Sequence, residues 1–334
     1  MTSQPNQYQP FTLNLIWQEI APHTWPAAII PVLTAFALAS ITGFASNWYF
    51  MPEIANTPII TLTIVWALLL ICVLMQSSVN VFNDYYDYVK GVDTIENSSD
   101  DVTDAVLVYN NINPKDVLKL AVGMLIAAFV IGVYIIIVAG WIPLAIGIVG
   151  AIIVALYSAG KTPISYYPIG EAVSGIVMGG LITLACYYVL TGSLNFMVLL
   201  YSIPCIIGIG LIMLTNNTCD IVKDAEAHRK TLPVLIGHDK ARNLYHMLLL
   251  VWICAIVVMS IVALILGNQN VVVAIAAVVM VIPFMLLIVY PQLRALWRNP
   301  LNANMRDIAM PQILSVNITL GLFYIATLLI GQVL

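Results

Sequence analysis

The chain has 334 residues, of which 61% are hydrophobic and 8% are charged, and its formal net charge is −4 at pH 7. Soluble globular domains carry about 25% charged residues, so this composition excludes an ordinary soluble protein and predicts a polytopic membrane protein. The charges are concentrated in a few segments, so the net charge alone indicates no class of partner.

Apolar segments of about 20 residues, the length needed to cross a bilayer, follow one another along the chain. The predicted fold class is all-α, and the predicted spans number nine: residues 26–45, 58–82, 117–138, 141–158, 169–191, 196–216, 243–266, 271–290 and 310–332. Residues 1–25 are expected to form a cytoplasmic N-terminal segment, and residues 26–334 a single transmembrane domain. The first Lys or Arg is Lys90, so we expect no cleaved signal peptide.

The basic residues predict how the chain is oriented in the membrane. All 12 Lys and Arg lie in or beside the second, fourth, sixth and eighth connections between the predicted spans. The positive-inside rule places these connections and the N-terminus in the cytoplasm and the C-terminus outside, in a multi-pass protein of the plasma membrane. The two long polar connections, about 84–116 and 217–242, are candidate functional loops.

Each of these two connections begins with carboxylates at the end of an apolar helix. Asn80, Asp84 and Asp87 are spaced i, i+4 and i+7, and Asn216, Asp220 and Asp224 are spaced i, i+4 and i+8. Either spacing places the polar groups on one helical face if the helices continue beyond the bilayer. Buried acids on membrane helices are costly and usually mark functional sites, so the two clusters predict one shared centre.

Opposed carboxylate clusters on the cytoplasmic side are typical of divalent cation binding. Mg²⁺ is commonly held by one or two carboxylates together with substrate phosphates. A diphosphate between the two clusters would bridge the ions, and an apolar bundle beneath it would house a lipid tail. The sequence therefore predicts a Mg²⁺–diphosphate site.

Three motifs carry a family resemblance: Asn80-x-x-x-Asp84-x-x-Asp87, Tyr157-x-x-x-Lys161 and Asp220-x-x-x-Asp224. In this order they resemble the motifs of the intramembrane aromatic prenyltransferases of the UbiA superfamily. Residues 83–94 and 230–237 most resemble the 1,4-dihydroxy-2-naphthoate polyprenyltransferases of menaquinone synthesis. The resemblance implies nine helices around a central cavity and Mg²⁺-dependent ionisation of a polyprenyl diphosphate. An electron-rich ring then attacks the allyl cation.

The resemblance also implies roles for individual residues. The expected Mg²⁺ and catalytic ligands are Asp84, Asp87, Asp220 and Asp224. Lys161 is expected to contact diphosphate, and Tyr157, with Tyr85 and Tyr86, to shield the cation. The remaining expected substrate-binding residues are Asn80, Asn83, Asp93, Asn216, Lys223, Arg229 and Lys230.

Several positions depart from the family pattern. Cys219 stands where the naphthoate branch carries Arg, His228 where it carries Gly, and Ala21 where a basic residue is common. The loop at 96–104 carries acids instead of Arg and is expected to be solvated. These departures affect groups expected near diphosphate or acceptor and leave the metal ligands intact.

Other ionisable and reactive residues have simpler interpretations. Glu171 is interpreted as a helix cap or, second, as an orienter of an acceptor hydroxyl. The five cysteines lack CxxC spacing and are predicted to be core residues, neither a disulfide frame nor a zinc site.

The predicted function is transfer of a polyprenyl group to an aromatic acceptor, with 1,4-dihydroxy-2-naphthoate as first choice. The alternatives are a prenyltransferase for another phenolic, naphthoate or non-aromatic acceptor, a cation- or proton-coupled secondary transporter, and a structural membrane subunit. Transporters usually place their acids near the bilayer midplane, whereas these acids are predicted at one edge.

Overall fold

A computed structural model describes residues 8–43, 58–95, 105–160, 162–267 and 270–333. Over these residues the protein is all-helical. The helices are α1 Leu13–Glu19, α2 Pro26–Thr42, α3 Pro58–Val89, α4 Val106–Tyr109, α5 Pro114–Ala139, α6 Ile142–Ser158, α7 Gly170–Ser174, α8 Ile182–Thr191, α9 Val198–Tyr201, α10 Ile203–Cys219, α11 Ile221–Glu226, α12 Leu232–Ile236, α13 His238–Gly267, α14 Val271–Arg298 and α15 Arg306–Val333.

The apolar helices identify a multi-pass membrane protein. Within the described residues, six helical segments are long and apolar enough to cross a bilayer, and the bent pair 13–24 and 26–42 makes a seventh. Helices α6 and α10 are apolar but have only 17 residues each. Each predicted span overlaps one apolar helix or helical segment, and the count of nine spans stays a prediction.

Helix α3 extends beyond the thickness of a bilayer. Its 32 residues correspond to about 48 Å at 1.5 Å per residue, whereas the hydrocarbon core measures about 30 Å. The helical conformation therefore continues through Asp84 and Asp87, as the spacing predicts. In the second motif the helix is interrupted: α10 ends at Cys219, Asp220 has φ −95° and ψ 15°, and α11 begins at Ile221.

A π-helical segment, Gly175–Leu181, joins α7 to α8 within one span and packs closely on α10. A Cβ atom at Gly175 would lie 2.4 Å from the carbonyl oxygen of Ile206, and one at Gly179 would lie 2.5 Å from its backbone nitrogen. Only glycine permits this approach, in the manner of small residues at membrane helix interfaces. The contact places α7 beside the end of α10.

Two apolar clusters organise the helices. The larger packs α2, α8, α10, α13 and α15 against one another. The smaller surrounds Val81, Val106 and Val117, and Phe11, Leu15 and Ile20 of the N-terminal segment pack against it. This second cluster holds α1 against the end of α3 that carries the first acidic motif.

Candidate active site

An internal cavity of about 550 Å³ runs through the helices. Its walls are mainly apolar and include Leu68, Leu125, Ile153, Val177 and Ile212. One end is polar, and both acidic motifs open onto it. The cavity thus combines an apolar chamber with a charged mouth.

Most of the predicted site residues lie at this charged mouth. Those that line the cavity are Asn80, Asn83, Asp84, Asp87, Asp93, Tyr157, Asn216, Asp220, Lys223, Asp224 and Arg229. The side chain of Lys230 is exposed and does not line the cavity, although its backbone N–H donates to the carbonyl of Tyr166 at 2.8 Å. Lys161 and the acidic run 96–104 lie outside the described residues.

Arg229 connects the two acidic motifs directly. Its Nη2 atom pairs with Asp87 Oδ1, and its Nη1 atom lies 3.5 Å from Asp224 Oδ1. The guanidinium also stacks over the ring of Tyr166, with 5.0 Å between the guanidinium carbon and the ring centroid. The two motifs, far apart in sequence, therefore form one centre around a single cation.

Ionisation at this bridge is shaped by burial and by charge. Burial raises the pKa of Asp224 to about 6, against the lowering effect of Arg229. Although burial alone would lower the pKa of Arg229, the carboxylates of Asp87 and Asp224 raise it above its usual value. The arginine therefore stays charged while its carboxylate partners titrate.

Asp93 and Lys223 form a second link between the two long connections. Lys223 Nζ lies 2.6 Å from Asp93 Oδ1, and both side chains are largely buried. Asp93 reaches this position because the chain turns after α3 at Gly91, whose φ of 68° favours glycine. Its backbone N–H then donates to the carbonyl of Asp87 at 3.3 Å.

The asparagines of the first motif position other groups at the mouth. Asn83 Nδ2 donates to Asp87 Oδ2 at 3.2 Å and so orients that carboxylate. Asn80 Nδ2 donates to the Ile20 carbonyl at 3.1 Å and to Thr24 Oγ1 at 2.8 Å. Asn80 therefore holds the N-terminal segment against α3.

Sequence reasoning missed the role of Arg306, at the start of α15. Its Nε lies 3.1 Å from Asp220 Oδ1, and its Nη2 donates to Asn216 Oδ1 at 2.8 Å. The charge pattern of the sequence predicts only that this arginine helps to orient the chain in the membrane. Nothing local in the sequence indicates the pairing, because it depends on the packing of α15 against α10.

Glu19 is a second missed residue of the mouth. Its side chain lines the cavity with 3% exposure and lies against the carboxyl group of Asp84. Among the described residues, neither Glu19 oxygen nor Asp84 Oδ1 has a hydrogen-bond partner. The available signal was that Glu19 is the one acid in residues 1–25, but these residues are predicted from sequence only as a cytoplasmic N-terminal segment.

The interpretation of Glu171 as a helix cap is wrong. The residue before α7 is Ile169, and no side-chain hydrogen bond caps the helix. Glu171 is buried, and its Oε1 accepts a hydrogen bond of 2.8 Å from Asn217 Nδ2. Close packing of α7 on α10 turns the carboxylate toward Asn217, which lines the cavity.

Among the tyrosines considered as cation shields, only Tyr157 lines the cavity. Its hydroxyl accepts a hydrogen bond of 3.2 Å from Ser174 Oγ. Tyr85 and Tyr86 face the smaller apolar cluster and stack edge to face at 5.1 Å. Neither ring lines the cavity, and their expected contact with a substrate cation stays a prediction.

The donor groups at the mouth suit a hard divalent cation shared with a phosphate. Carboxylate oxygens are the ligands that Mg²⁺ prefers, and no donor among the described residues bonds to the buried Asp84 Oδ1. Over the described parts of the chain, no three His, Cys, Asp or Glu side chains are placed to hold an ion on their own. The carboxylate pairs of the two motifs fit sites in which one or two carboxylates are completed by substrate phosphates and water.

The model of the UbiA prenyltransferase family matches residues 28–305. The chain belongs to this family. A 1,4-dihydroxy-2-naphthoate octaprenyltransferase of Bacillus subtilis (strain 168) is 36% identical over 231 residues, which cover 69% of this chain and 68% of the relative. The protein of the same name from Haemophilus influenzae is 28% identical over 242 residues, covering 71% and 74%.

More distant UbiA relatives share parts of the chain or the fold. The UbiA prenyltransferase domain-containing protein 1 of Rattus norvegicus is 33% identical over 175 residues, and the chain spans about half (49%) of that relative. A UbiA homolog from Archaeoglobus fulgidus, solved bound to GPP and Mg²⁺, matches 96% of this chain and 100% of its own with a TM-score of 0.63. At 14% identity, that likeness shows the UbiA fold alone.

Two departures from the UbiA pattern have a structural setting. His228 has a φ of 56°, the left-handed conformation that explains why glycine suits this position. Cys219 is 3% exposed and immediately precedes Asp220, whose countercharge comes from Arg306. Cys219 itself therefore supplies no positive charge, and the neighbouring Asp220 carboxylate is neutralised by Arg306 of α15.

Proposed function

We propose that this UbiA-family protein transfers a polyprenyl group from a polyprenyl diphosphate to 1,4-dihydroxy-2-naphthoate, in a reaction that requires Mg²⁺. The observation that carries the proposal is the meeting of the two acidic motifs around Arg229 at the mouth of an apolar cavity. The sequence similarity to the Bacillus subtilis and Haemophilus influenzae octaprenyltransferases supports the acceptor.

The residues of the mouth would bind the diphosphate. Asp84, Asp87, Asp220 and Asp224 would hold Mg²⁺, which when bound stabilises negative charge on the departing diphosphate. Lys223 and Arg229 line the cavity and present positive charge to the phosphate oxygens. Lys161, expected from the family motif to contact diphosphate, completes the proposed set.

The cavity walls would bind the prenyl chain and protect the allyl cation. Each buried methylene contributes about 0.8 kcal/mol, so the apolar chamber supplies binding energy away from the reacting carbon. Tyr157 presents its ring near the mouth, where a desolvated cation gains about 2 kcal/mol from an aromatic face. Exclusion of water by the apolar walls would favour attack by the acceptor ring over hydrolysis.

The proposed orientation places the mouth at the cytoplasmic face of the plasma membrane. Arg229 and Lys223 line the cavity beside the acidic motifs, as the positive-inside rule requires of a cytoplasmic surface. The N-terminus and the connections 84–116 and 217–242 would then be cytoplasmic and the C-terminus external. Family membership supports an enzyme over the transporter alternative.

A direct assay tests the proposed reaction. The purified protein is incubated with Mg²⁺, a labelled polyprenyl diphosphate and a panel of aromatic acids and glycerol phosphates, and the products are identified by mass spectrometry. We expect prenylated naphthoate that has lost its carboxylate, and no product when EDTA is present. Product with a phenolic acid or glycerol phosphate alone would contradict the acceptor and retain the reaction class.

A further inference from the structure

The N-terminal helix places a carboxylate at the cavity mouth that the two acidic motifs do not include. Glu19 ends α1 and lines the cavity with 3% exposure. Its carboxyl group lies against that of Asp84. The carbonyl groups at the end of a helix add negative potential, so this is an unfavourable place for an acid without a cation.

Every other acid at the mouth has a positive partner. Lys223 pairs with Asp93, Arg229 with Asp87 and Asp224, and Arg306 with Asp220. Glu19 and Asp84 form no ion pair with any residue that the structure describes. Two buried carboxylates in contact are strongly disfavoured unless a cation or a proton lies between them.

The fold holds Glu19 at this place. The Asn80 amide donates to the Ile20 carbonyl at 3.1 Å, one residue beyond Glu19. Because Asn80 precedes Asp84 by one helical turn on the same face of α3, this hydrogen bond aligns Glu19 with Asp84. Packing of Leu15 and Ile20 on the smaller apolar cluster keeps α1 from withdrawing.

We propose that Glu19 is a ligand of a divalent cation that it shares with Asp84, so that the N-terminal helix completes the cation site of the first motif. The inference rests on the proposed function, because the diphosphate supplies the remaining ligands. Two carboxylates together with phosphate and water meet the coordination that Mg²⁺ prefers, and their combined charge neutralises the ion. Cation binding would also fasten α1 over the mouth.

The test measures binding of Mn²⁺, a paramagnetic substitute for Mg²⁺, to the full-length protein in nanodiscs. Inorganic pyrophosphate is present, and free Mn²⁺ is counted by electron paramagnetic resonance. We expect Glu19→Gln to weaken Mn²⁺ binding by at least about tenfold, since loss of even an outer-shell partner of a metal ligand costs that much. Glu226→Gln, the same change at an exposed acid of α11, should bind Mn²⁺ as the wild type does.

The outcomes separate this inference from the proposed function. Unchanged or tighter Mn²⁺ binding by Glu19→Gln, with loss of binding in Asp84→Asn, overturns the ligand role of Glu19 and leaves the proposed function standing. It would indicate a proton shared by the two carboxylates. Absence of Mn²⁺ binding by the wild type with pyrophosphate overturns both.

A second measurement covers the possibility that Glu19→Gln does not fold. In the wild type, Mn²⁺ with pyrophosphate should slow backbone hydrogen exchange in α1, and pyrophosphate alone should not. Glu19→Asp keeps the charge but withdraws it by one methylene, so it should show an intermediate Mn²⁺ affinity. Exchange in α1 that does not respond to Mn²⁺ contradicts the proposed link between the helix and the ion.

Discussion

The two acidic motifs share an Asn-x-x-x-Asp spacing but differ in their structural and electrostatic settings. The first lies on the uninterrupted helix α3, and its leading acid, Asp84, faces another acid. The second is broken at Asp220, and both of its acids pair with arginines, Arg306 and Arg229. Among the described residues, Asp84 is therefore the one acid of the two motifs without a positive partner, because Arg229 also pairs with Asp87 and the acids of the second motif are neutralised by the protein.

This difference bears on how the site would change when substrate binds. Arg229 and Arg306 occupy carboxylates that are also the expected cation ligands of the second motif. An incoming cation and diphosphate would exchange these pairs for arginine–phosphate pairs, which are charge-assisted and often bidentate. At the first motif, Asp84 has no such partner to exchange among the described residues.

The largest effect is expected from removing the leading acid of each motif. Asp84→Asn and Asp220→Asn should each lower turnover by at least about 100-fold, because each removes a negative charge that would hold the Mg²⁺ needed to stabilise the departing diphosphate. Circular dichroism of both variants should remain close to that of the wild type, and so should the thermal melting of Asp84→Asn. Asp220→Asn should melt at a lower temperature, because it leaves Arg306 without its carboxylate partner. Normal turnover in both variants would contradict the metal assignment.

Arg229→Gln breaks the bridge between the motifs. Removing one partner of a buried ion pair leaves uncompensated charge and costs about 3–5 kcal/mol, so both the melting temperature and turnover should fall. Mg²⁺ at high concentration should recover part of the stability by replacing the lost positive charge. Thermal melting across a Mg²⁺ titration measures this recovery.

Lys230→Gln is the matched comparison for Arg229→Gln. It removes the same charge from the adjacent position, but the Lys230 side chain is exposed and does not line the cavity. We expect the free energy of unfolding to stay within about 0.5 kcal/mol of the wild-type value, with little change in turnover. An equal loss in both variants would show that total positive charge matters and that the bridge does not.

The pH dependence of the second motif follows from Asp224. Burial raises the pKa of its carboxyl from 3.8 to about 6, so the folded protein binds more protons than the unfolded chain between these values. Without metal, this group makes the folded state less stable as pH rises through about 6. Melting in EDTA at pH 5 and pH 7 should show the decline in the wild type and a smaller decline in Asp224→Asn.

A small gain in stability is expected from a change in the backbone just before Arg229. His228 adopts a φ of 56°, a conformation that costs a non-glycine residue about 1–2 kcal/mol. His228→Gly should raise stability by up to about 1 kcal/mol, since the greater freedom of glycine in the unfolded chain offsets part of the gain. A calorimetric melt of the two proteins tests this, and a lower melting temperature would indicate that the imidazole makes a stabilising contact.

Much of the site could be predicted from local patterns. Asp84 and Asp87 lie on one face of α3 because an apolar helix continues through them, and Tyr157 lines the cavity as its motif implied. Lys230 is predicted to bind substrate together with Arg229 because the two residues are adjacent in sequence. Sequence proximity does not specify which way neighbouring side chains point at the end of a helix, and only Arg229 faces the mouth.

The sequence by itself determined the membrane class, the helical segments and the spacing of the acids, because hydrophobicity and helical period act over neighbouring residues. The tertiary structure decided which charges are neutralised. Arg306 reaches Asp220 across 86 residues, and Glu19 meets Asp84 because α1 packs against the end of α3. Electrostatic partners are chosen by distance in space and by burial, and both arise only when the helices pack.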